Sequence, residues 1–242
     1  MKRIAFFAAL AAAALMTAAC SNSGKTNVDA DLPTTAEVDS VSYLVGVNFG
    51  SFIKNYDFGD LNYNEVKKGM LDYVNAKGNQ SDVDFNDQFK ISPEEMNRIF
   101  TEYLEKRQAY VAAQNAEEGN KFLEENKKKE GVQVTESGLQ YKIIAAGSEV
   151  KAGPTDAVHV YYKGSLIDGT VFDSTVQRGE PIEFPLNGVI KGWTEGLQLM
   201  PIGSKFKLYI PYQLAYGERG AGELIGPCEA LIFEVELLEI VK

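Results

Sequence analysis

The last third of the chain reads VHVYYKG at 158–164, DGTVFDS at 168–174, VIKGW at 189–193, AYG at 215–217 and LIFEV at 231–235. Small, aromatic and acidic residues follow one another here in an order that a generic β-domain does not need. The runs at 158–162 and 230–241 are rich in β-branched and aromatic residues and predict strands. These segments therefore decide the fold, and their aromatic residues are candidates for a site.

Outward from these segments, the pattern predicts further strands and turns. We expect strands over 138–144, 158–162, 205–210 and 230–241, with turns at 153–154, 168–169 and 201–203. Residues 189–199 are long enough for one short helix between strands. The C-terminal half is therefore expected to be a sheet that carries a single short helix.

Taken together, these motifs resemble the FKBP-type peptidyl-prolyl cis/trans isomerases over residues 137–241, with motif order and spacing intact. The resemblance implies an α+β fold, in which a twisted antiparallel sheet wraps around a short helix after an all-α dimerisation domain with a long connecting helix. The implied reaction is rotation about an X-Pro amide, which takes about tens to hundreds of seconds uncatalysed. Rotation breaks no covalent bond, so we expect no cofactor, metal ion or nucleophile.

The resemblance also implies where a substrate binds. By motif position, the substrate-binding residues are Tyr162, Phe172, Arg178, Ile182, Val189, Ile190, Trp193, Ile225 and Phe233. Trp193 would form the floor under the proline ring, and Ile190 would offer its backbone N–H. Asp173 and Tyr216 are the implied catalytic residues: a carboxylate at the cleft edge with Arg178 as its partner, and a hydroxyl that donates to a substrate carbonyl. Taken singly, the aromatic residues have an alternative interpretation as core, and Asp173 as a turn residue.

Two segments depart from the family pattern. Ile182 stands where an aromatic residue is usual, and residues 225–229 read IGPCE where Ile-Pro-Pro-Asn-Ala is common. We expect Gly226 to loosen this loop and Glu229 to add charge, which bears on substrate preference and on macrolide affinity. His159, the single histidine, falls on the opposite strand face from Tyr162 and is not expected to be catalytic.

The first residues have the features of a secretory signal. Lys2 and Arg3 precede an apolar run over 4–16, which is shorter than the ~20 residues that a membrane-spanning helix needs. Small residues then lead to Cys20, so residues 1–19 resemble a lipoprotein signal peptide and Cys20 the lipidated N-terminus. Thr17 departs from that pattern, and an ordinary cleaved signal is the alternative. With Cys20 lipidated, Cys228 is expected to be a lone, packed thiol.

Residues 20–36 are small and polar, which predicts a tether, and residues 37–132 predict a helical domain. We expect helices over 39–55 and after Asn62, where Glu65 would complete a capping box. Their apolar faces are, in the first, Val41, Leu44, Val45, Phe49, Phe52 and Ile53, and in the second, Val66, Met70, Leu71 and Val74.

A long helix is predicted to begin at Ser92-Pro93, a strong N-terminal signal, and to continue to about Lys127. Gly119 leaves two alternatives: a broken helix, or a continuous helix whose apolar residues meet a second chain. We favour the continuous helix and a dimer, with Tyr103, Tyr110 and Phe122 as exposed apolar surface. The helical region also resembles, less closely than the C-terminal region resembles its family, the dimerisation module of the macrophage-infectivity-potentiator-like FKBPs.

The formal net charge is −10, and removal of residues 1–19 would make it −12, because two cations and no acids are lost. An acidic chain is unsuited to nucleic acid, which requires a basic face. The sequence thus predicts a lipid-anchored envelope isomerase, periplasm-facing and with the outer membrane favoured, for proline-containing or unfolded polypeptides, with macrolide ligands possible. The residue 133–242 domain would catalyse and the helices would add chaperone activity. The alternatives are a non-catalytic holdase and a structural envelope lipoprotein.

Overall fold

The computed structural model describes residues 32–241. The predicted signal peptide 1–19, the predicted lipidation site Cys20 and most of the predicted tether lie outside the described residues. The described chain separates into two compact units, 32–48 and 49–241. No helix among the described residues combines the length and apolar character that crossing a membrane requires.

Helix α1 (Thr35–Asn55) begins four residues earlier than predicted, so the end of the expected tether is helical. The reason is a capping box that the sequence interpretation missed. The Glu37 N–H donates to Thr34 Oγ1 at 3.3 Å, and the Thr34 N–H donates to Glu37 Oε2 at 2.7 Å.

Helix α2 (Tyr63–Val74) follows Asn62, as predicted, but its cap differs from the prediction. The Asn62 side chain accepts the Asn64 N–H at 3.1 Å. Glu65 does not complete a capping box; its carboxylate lies 3.2 Å from Lys90 Nζ. The helix therefore begins with one satisfied N–H and an ion pair to the following segment.

Helix α3 (Pro93–Asn126) is continuous through Gly119 for 34 residues, a length of about 51 Å. Ser92 caps it by accepting the Glu95 N–H at 3.3 Å, and Pro93 occupies the first turn. The predicted start and the favoured continuous helix are both confirmed. One glycine costs a helix only ~1 kcal/mol, and Gly119 lies in close contact with Ala230.

The helical region buries few of its apolar residues. In the described chain no residue of α1 or α2 is buried. Met70, Leu71 and Val74 were expected to form a buried face, but 38%, 51% and 78% of their surfaces are exposed. That expectation is wrong for residues 32–241 of a single chain, because none of them buries this face.

The three apolar residues expected to be exposed on α3, Tyr103, Tyr110 and Phe122, are only partly exposed. The Tyr103 hydroxyl donates to the Phe58 carbonyl, and the two rings stack. The Phe122 ring is half-buried against Tyr209, with ring centroids 6.0 Å apart. Of the three residues, Tyr110 keeps the most exposed surface, 55%, beside the Arg107 guanidinium.

Seven strands of the described chain form one antiparallel sheet. They are β1 (Val132–Val134), β2 (Gln140–Ala145), β3 (Ala157–Leu166), β4 (Val171–Ser174), β5 (Ile182–Pro185), β6 (Lys205–Ile210) and β7 (Leu231–Val241). The order is β1-β2-β6-β7-β3-β4, and β5 pairs with the first half of β3. The helical turn α4 (Thr175–Arg178) follows β4, and α5 (Lys191–Leu199) precedes β6. The four predicted strands and the short helix are present.

Helix α5 lies unusually close to the sheet because of two glycines one turn apart. A Cβ on Gly192 would come 2.4 Å from an Ile210 methyl, and one on Gly196 would come 2.8 Å from Leu208. This approach leaves Leu197 fully buried and Trp193 only 4% exposed. The sheet and α5 thus fix the position of the tryptophan ring.

Candidate functional site

The site is built around Trp193 on α5. Its indole ring meets three aromatic rings edge to face, with centroids 5.0 Å from Tyr162, 5.2 Å from Phe233 and 5.4 Å from Phe184. Edge-to-face geometry is the favoured arrangement of aromatic pairs. The rings come from β3, β7 and β5, so the sheet holds them in a fixed box.

Most residues expected from the sequence are brought together here. Phe172 lies edge to face with Phe233 at 5.5 Å. Val189 and Ile190 pack against the same buried cluster, and Ile225 belongs to it with 9% of its surface exposed. Apart from Ile182, the apolar side chains expected from the sequence thus belong to, or pack against, the hydrophobic cluster that contains Trp193.

Ile182 is the apolar residue that does not join this cluster. It lies on β5 opposite Val160, with 36% of its surface exposed. Phe184, two residues further on the same strand face, contacts Trp193 instead, and sequence reasoning missed it. The alternation Ile-Glu-Phe at 182–184 is too short to have predicted this strand or the direction of Phe184.

Asp173 on β4 is held by two donors. Arg178, at the end of α4, donates from Nη1 to Oδ1 at 2.7 Å, and the Tyr162 hydroxyl donates to Oδ2. Burial acts to raise the pKa of Asp173, but these hydrogen bonds and the Arg178 charge outweigh it and lower that pKa. Burial and the bond to Asp173 raise the pKa of Tyr162 to about 12. At neutral pH the pair is a carboxylate and a neutral phenol.

Tyr216 lies between two short 3₁₀ turns, Tyr212–Leu214 and Gly217–Arg219, with 40% of its surface exposed. Burial and the negative charge of Asp173 raise the pKa of its phenol. Its hydroxyl has no hydrogen-bond partner in the described part of the chain. Tyr216 is therefore a neutral donor in the same electrostatic neighbourhood as Asp173.

Ile190 caps the N-terminus of α5. Its carbonyl accepts the Trp193 and Thr194 N–H groups at 2.9 and 3.0 Å. Its own N–H donates to no protein atom among residues 32–241. A free backbone donor thus lies three residues before the tryptophan, as a donor to a bound peptide would require.

The two remaining sequence predictions concern residues outside the aromatic box. His159 lies on the opposite face from Tyr162, between Glu239 at 2.6 Å and Glu183 at 3.1 Å. Cys228 is buried, as expected, and burial raises the pKa of its thiol. It adopts a left-handed φ of 58°, a conformation that Asn adopts more readily than most residues.

Comparison with known proteins identifies the family. Residues 148–238 match the model of the FKBP-type peptidyl-prolyl cis-trans isomerase domain, and residues 38–143 match the domain amino terminal to it. The chain belongs to the FKBP-type peptidyl-prolyl cis-trans isomerase family, and its activity is the isomerisation of peptidyl-prolyl bonds.

Individual relatives match along most of the chain. The FKBP-type 22 kDa isomerase of Escherichia coli is 46% identical, covering 86% of this chain and 99% of that protein. The outer membrane protein MIP of Legionella longbeachae is 41% identical over 86% of this chain and 88% of its own length. The crystal structure of FkpA from Escherichia coli is 32% identical with a TM-score of 0.67, covering 87% of this chain and 99% of that one.

Proposed function

We propose that the aromatic box around Trp193 catalyses isomerisation by binding the twisted amide better than the planar one. A twisted amide has lost resonance and polarity. The free-energy cost of moving it from water into a dry apolar cleft is therefore lower than the cost for the planar amide. Interactions that strengthen only in the transition state are those that accelerate the reaction. The observation that carries this proposal is the enclosure of Trp193 by three edge-to-face rings beside the paired carboxylate of Asp173.

Three polar groups would orient the peptide in this cleft. Tyr216 would donate its hydroxyl to a substrate carbonyl, and Ile190 would donate its backbone N–H. Asp173, held by Arg178 and Tyr162, would stand at the cleft edge near the twisting carbonyl as a catalytic group. Macrolides would occupy the same apolar cleft, with Ile182 offering less surface than an aromatic residue there.

The helical region would form a dimer that holds unfolded polypeptides. Its first helix exposes an apolar series of Val41, Leu44, Val45, Phe49 and Phe52, with between 40% and 59% of each surface accessible. Contiguous exposed apolar surface of this kind marks an interaction site. A second copy of the chain is the proposed occupant, because the match to the domain amino terminal to the isomerase covers this helix.

The protein would act in the cell envelope on exported proteins, anchored through lipid on Cys20 and separated from the membrane by residues 20–36. The signal-like residues 1–19 support export, and the name of the Legionella relative places that protein in the outer membrane. The domains would be 37–132 for dimerisation and 133–242 for catalysis. A non-catalytic holdase is the second candidate, favoured by the exposed apolar series on α1.

Replacement of Tyr216 by Phe tests the cleft assignment. Loss of the hydroxyl should lower kcat/KM for a proline-containing tetrapeptide by roughly tenfold, the effect of one hydrogen bond to a desolvated carbonyl. The thermal unfolding midpoint should not change, because the hydroxyl bonds to no described residue. Tyr212→Phe, one 3₁₀ turn away, is the matched control. Equal turnover in Tyr216→Phe and Tyr212→Phe would remove the Tyr216 hydroxyl from the mechanism.

A further inference from the structure

The C-terminal half of α3 lies against the isomerase domain. Asn126, which is 1% exposed, donates to the Gln140 side chain at 3.0 Å, and Gln140 donates to the Leu123 carbonyl at 2.9 Å. Leu123 shares a small buried cluster with Tyr209 and Ala230. The last turns of the long helix are thus packed on the sheet rather than free of it.

Gly119 sets how close the helix can lie. A Cβ on Gly119 would come 3.0 Å from the Ala230 Cβ, tighter than ordinary contact. Both residues are buried. The glycine that could have broken α3 is the point at which the helix approaches the start of β7.

One turn earlier, Asn115 reaches the loop that precedes β7. Its Nδ2 donates to the Pro227 carbonyl at 2.8 Å, in a partly buried contact. A Cβ on Gly226 would come 3.1 Å from the same Nδ2. Gly226 thus leaves room for the Asn115 side chain to reach the Pro227 carbonyl.

The other side of this loop faces the cleft. Ile225 is buried in the cluster that contains Trp193, and its backbone exchanges hydrogen bonds with Ala221 at 2.8 and 3.2 Å. The Cys228 N–H donates to the Gly217 carbonyl at 2.9 Å, one residue after Tyr216. Residues 225–228 therefore connect α3 on one side with two proposed cleft residues, Ile225 and Tyr216, on the other.

We propose that Asn115 is a positioning residue for the isomerase cleft, so that α3, outside the matched isomerase region 148–238, sets how tightly the cleft binds its peptide. The Asn115 side chain hydrogen-bonds to the Pro227 carbonyl and acts through it on the Ile225 wall. The inference rests on the proposed assignment of Ile225 and Tyr216 to the cleft.

The kinetic signature of this role is a change in KM with kcat retained. A misplaced wall weakens contacts made equally in the ground state and the transition state, and loss of such uniform binding raises KM alone. The expected rise for Asn115→Ala in the full chain is about threefold to tenfold, the range that one lost hydrogen bond produces. Asn115→Asp, similar in shape but without the donor, should raise KM at least as much.

The experiment measures kcat and KM for a proline-containing tetrapeptide, with emission of Trp193, the only tryptophan, as a probe of the cleft. Asn120→Ala is the matched control, because Asn120 is an exposed residue of the same helix. Gly226→Ala disturbs the same contact from the loop side, because the added methyl would crowd the Asn115 side chain. It should raise KM in the native chain and add little in the Asn115→Ala background, the non-additivity expected of groups in contact.

The expected result is a raised KM and altered Trp193 emission in Asn115→Ala and Asn115→Asp, with both unchanged in Asn120→Ala. Equal KM values in Asn115→Ala and Asn120→Ala would overturn the inference, as would a lower unfolding midpoint with KM unaltered. Strictly additive effects of the 115 and 226 substitutions would overturn it too. Turnover by the native chain that does not depend on Tyr216 would contradict the proposed cleft instead, so the two failures are distinguishable.

Discussion

The regions at the two ends of α3 differ in how far their apolar residues are buried. Beyond Leu123 the chain closes a core within itself: Leu197, Leu208, Ile210, Val235 and Leu237 have no exposed surface. In α1 and α2 no described residue reaches that state. The core of the sheet is therefore closed within one chain, whereas α1 and α2 have apolar surface that no described residue buries.

We infer from this difference that the sheet region carries out isomerisation and that the helical region binds large substrates. The catalytic residues proposed here lie wholly within the region whose packing is closed. The apolar residues of α1, by contrast, are exposed, and under the proposal they contact a second copy and unfolded polypeptides. Two substitutions and one truncation test that division, and a third substitution tests the partly buried Glu229; the substitutions run from the largest expected effect to the smallest.

Trp193→Ala should remove the centre of the closed region. Loss of a large buried aromatic side chain typically lowers the free energy of unfolding by about 3 to 5 kcal/mol. Because Trp193 contacts only its own chain in this account, the loss should be independent of protein concentration. Chemical denaturation at two concentrations measures both features. A loss below about 1 kcal/mol would mean that the box is not a packed core.

Leu44→Glu should act on association instead. Leu44 is 57% exposed on α1, so a charge there costs the single chain little but should block a second copy. We expect the residue 37–242 fragment to be a dimer, its Leu44→Glu variant to be a monomer, and peptide turnover to be unchanged. Light scattering gives the mass. Val83→Glu, at a fully exposed position outside α1, is the control and should remain dimeric. A native fragment that is monomeric at micromolar concentration would contradict the dimer.

Glu229→Gln is expected to have the smallest effect. Burial raises the pKa of Glu229, and the charges of Asp168 and Glu118 add to it. The folded state then binds the proton more tightly, so ionisation destabilises it as pH rises from the ordinary glutamate value of about 4.3. Glu229→Gln should raise the unfolding midpoint at neutral pH, with the gain vanishing in acid. Glu223→Gln, exposed in the same loop, should give no gain. The gain should be small, because solvent screens a half-exposed group.

The elements that the sequence predicted well are those with local causes. Ser92 and Pro93 start α3 through one side-chain bond and a fixed φ, and the alternation in β3 and β7 follows from one buried face. The strands that were missed, β1, β4 and β5, have only three or four residues each, too few for a periodic signal.

Motif order predicted most of the residues that cluster with Trp193, but not the residues that support them. Phe184 was missed because its strand is too short to give a periodic signal, and Asn115 because its partner is distant in the chain. The bond from Asn115 to Pro227 spans 112 positions, and an asparagine on a polar helix face has no sequence signal to distinguish it from a solvated one. The exposed face of α2 was misjudged for a related reason, since periodicity shows that a face is apolar but not what covers it.

The most direct test of the division of labour compares two fragments, 37–242 and 109–242. The structure favours a cut at 109 over one at 133, because the shorter helix then keeps Asn115, Gly119 and Asn126 on the sheet. The measurement is the acceleration of a proline-limited refolding reaction, normalised to tetrapeptide turnover. We predict equal peptide turnover and at least about a tenfold loss of refolding acceleration for 109–242, since the second contact surface and second subunit are gone. Equal acceleration by the two fragments would show that the helices are spacers, and would contradict the account.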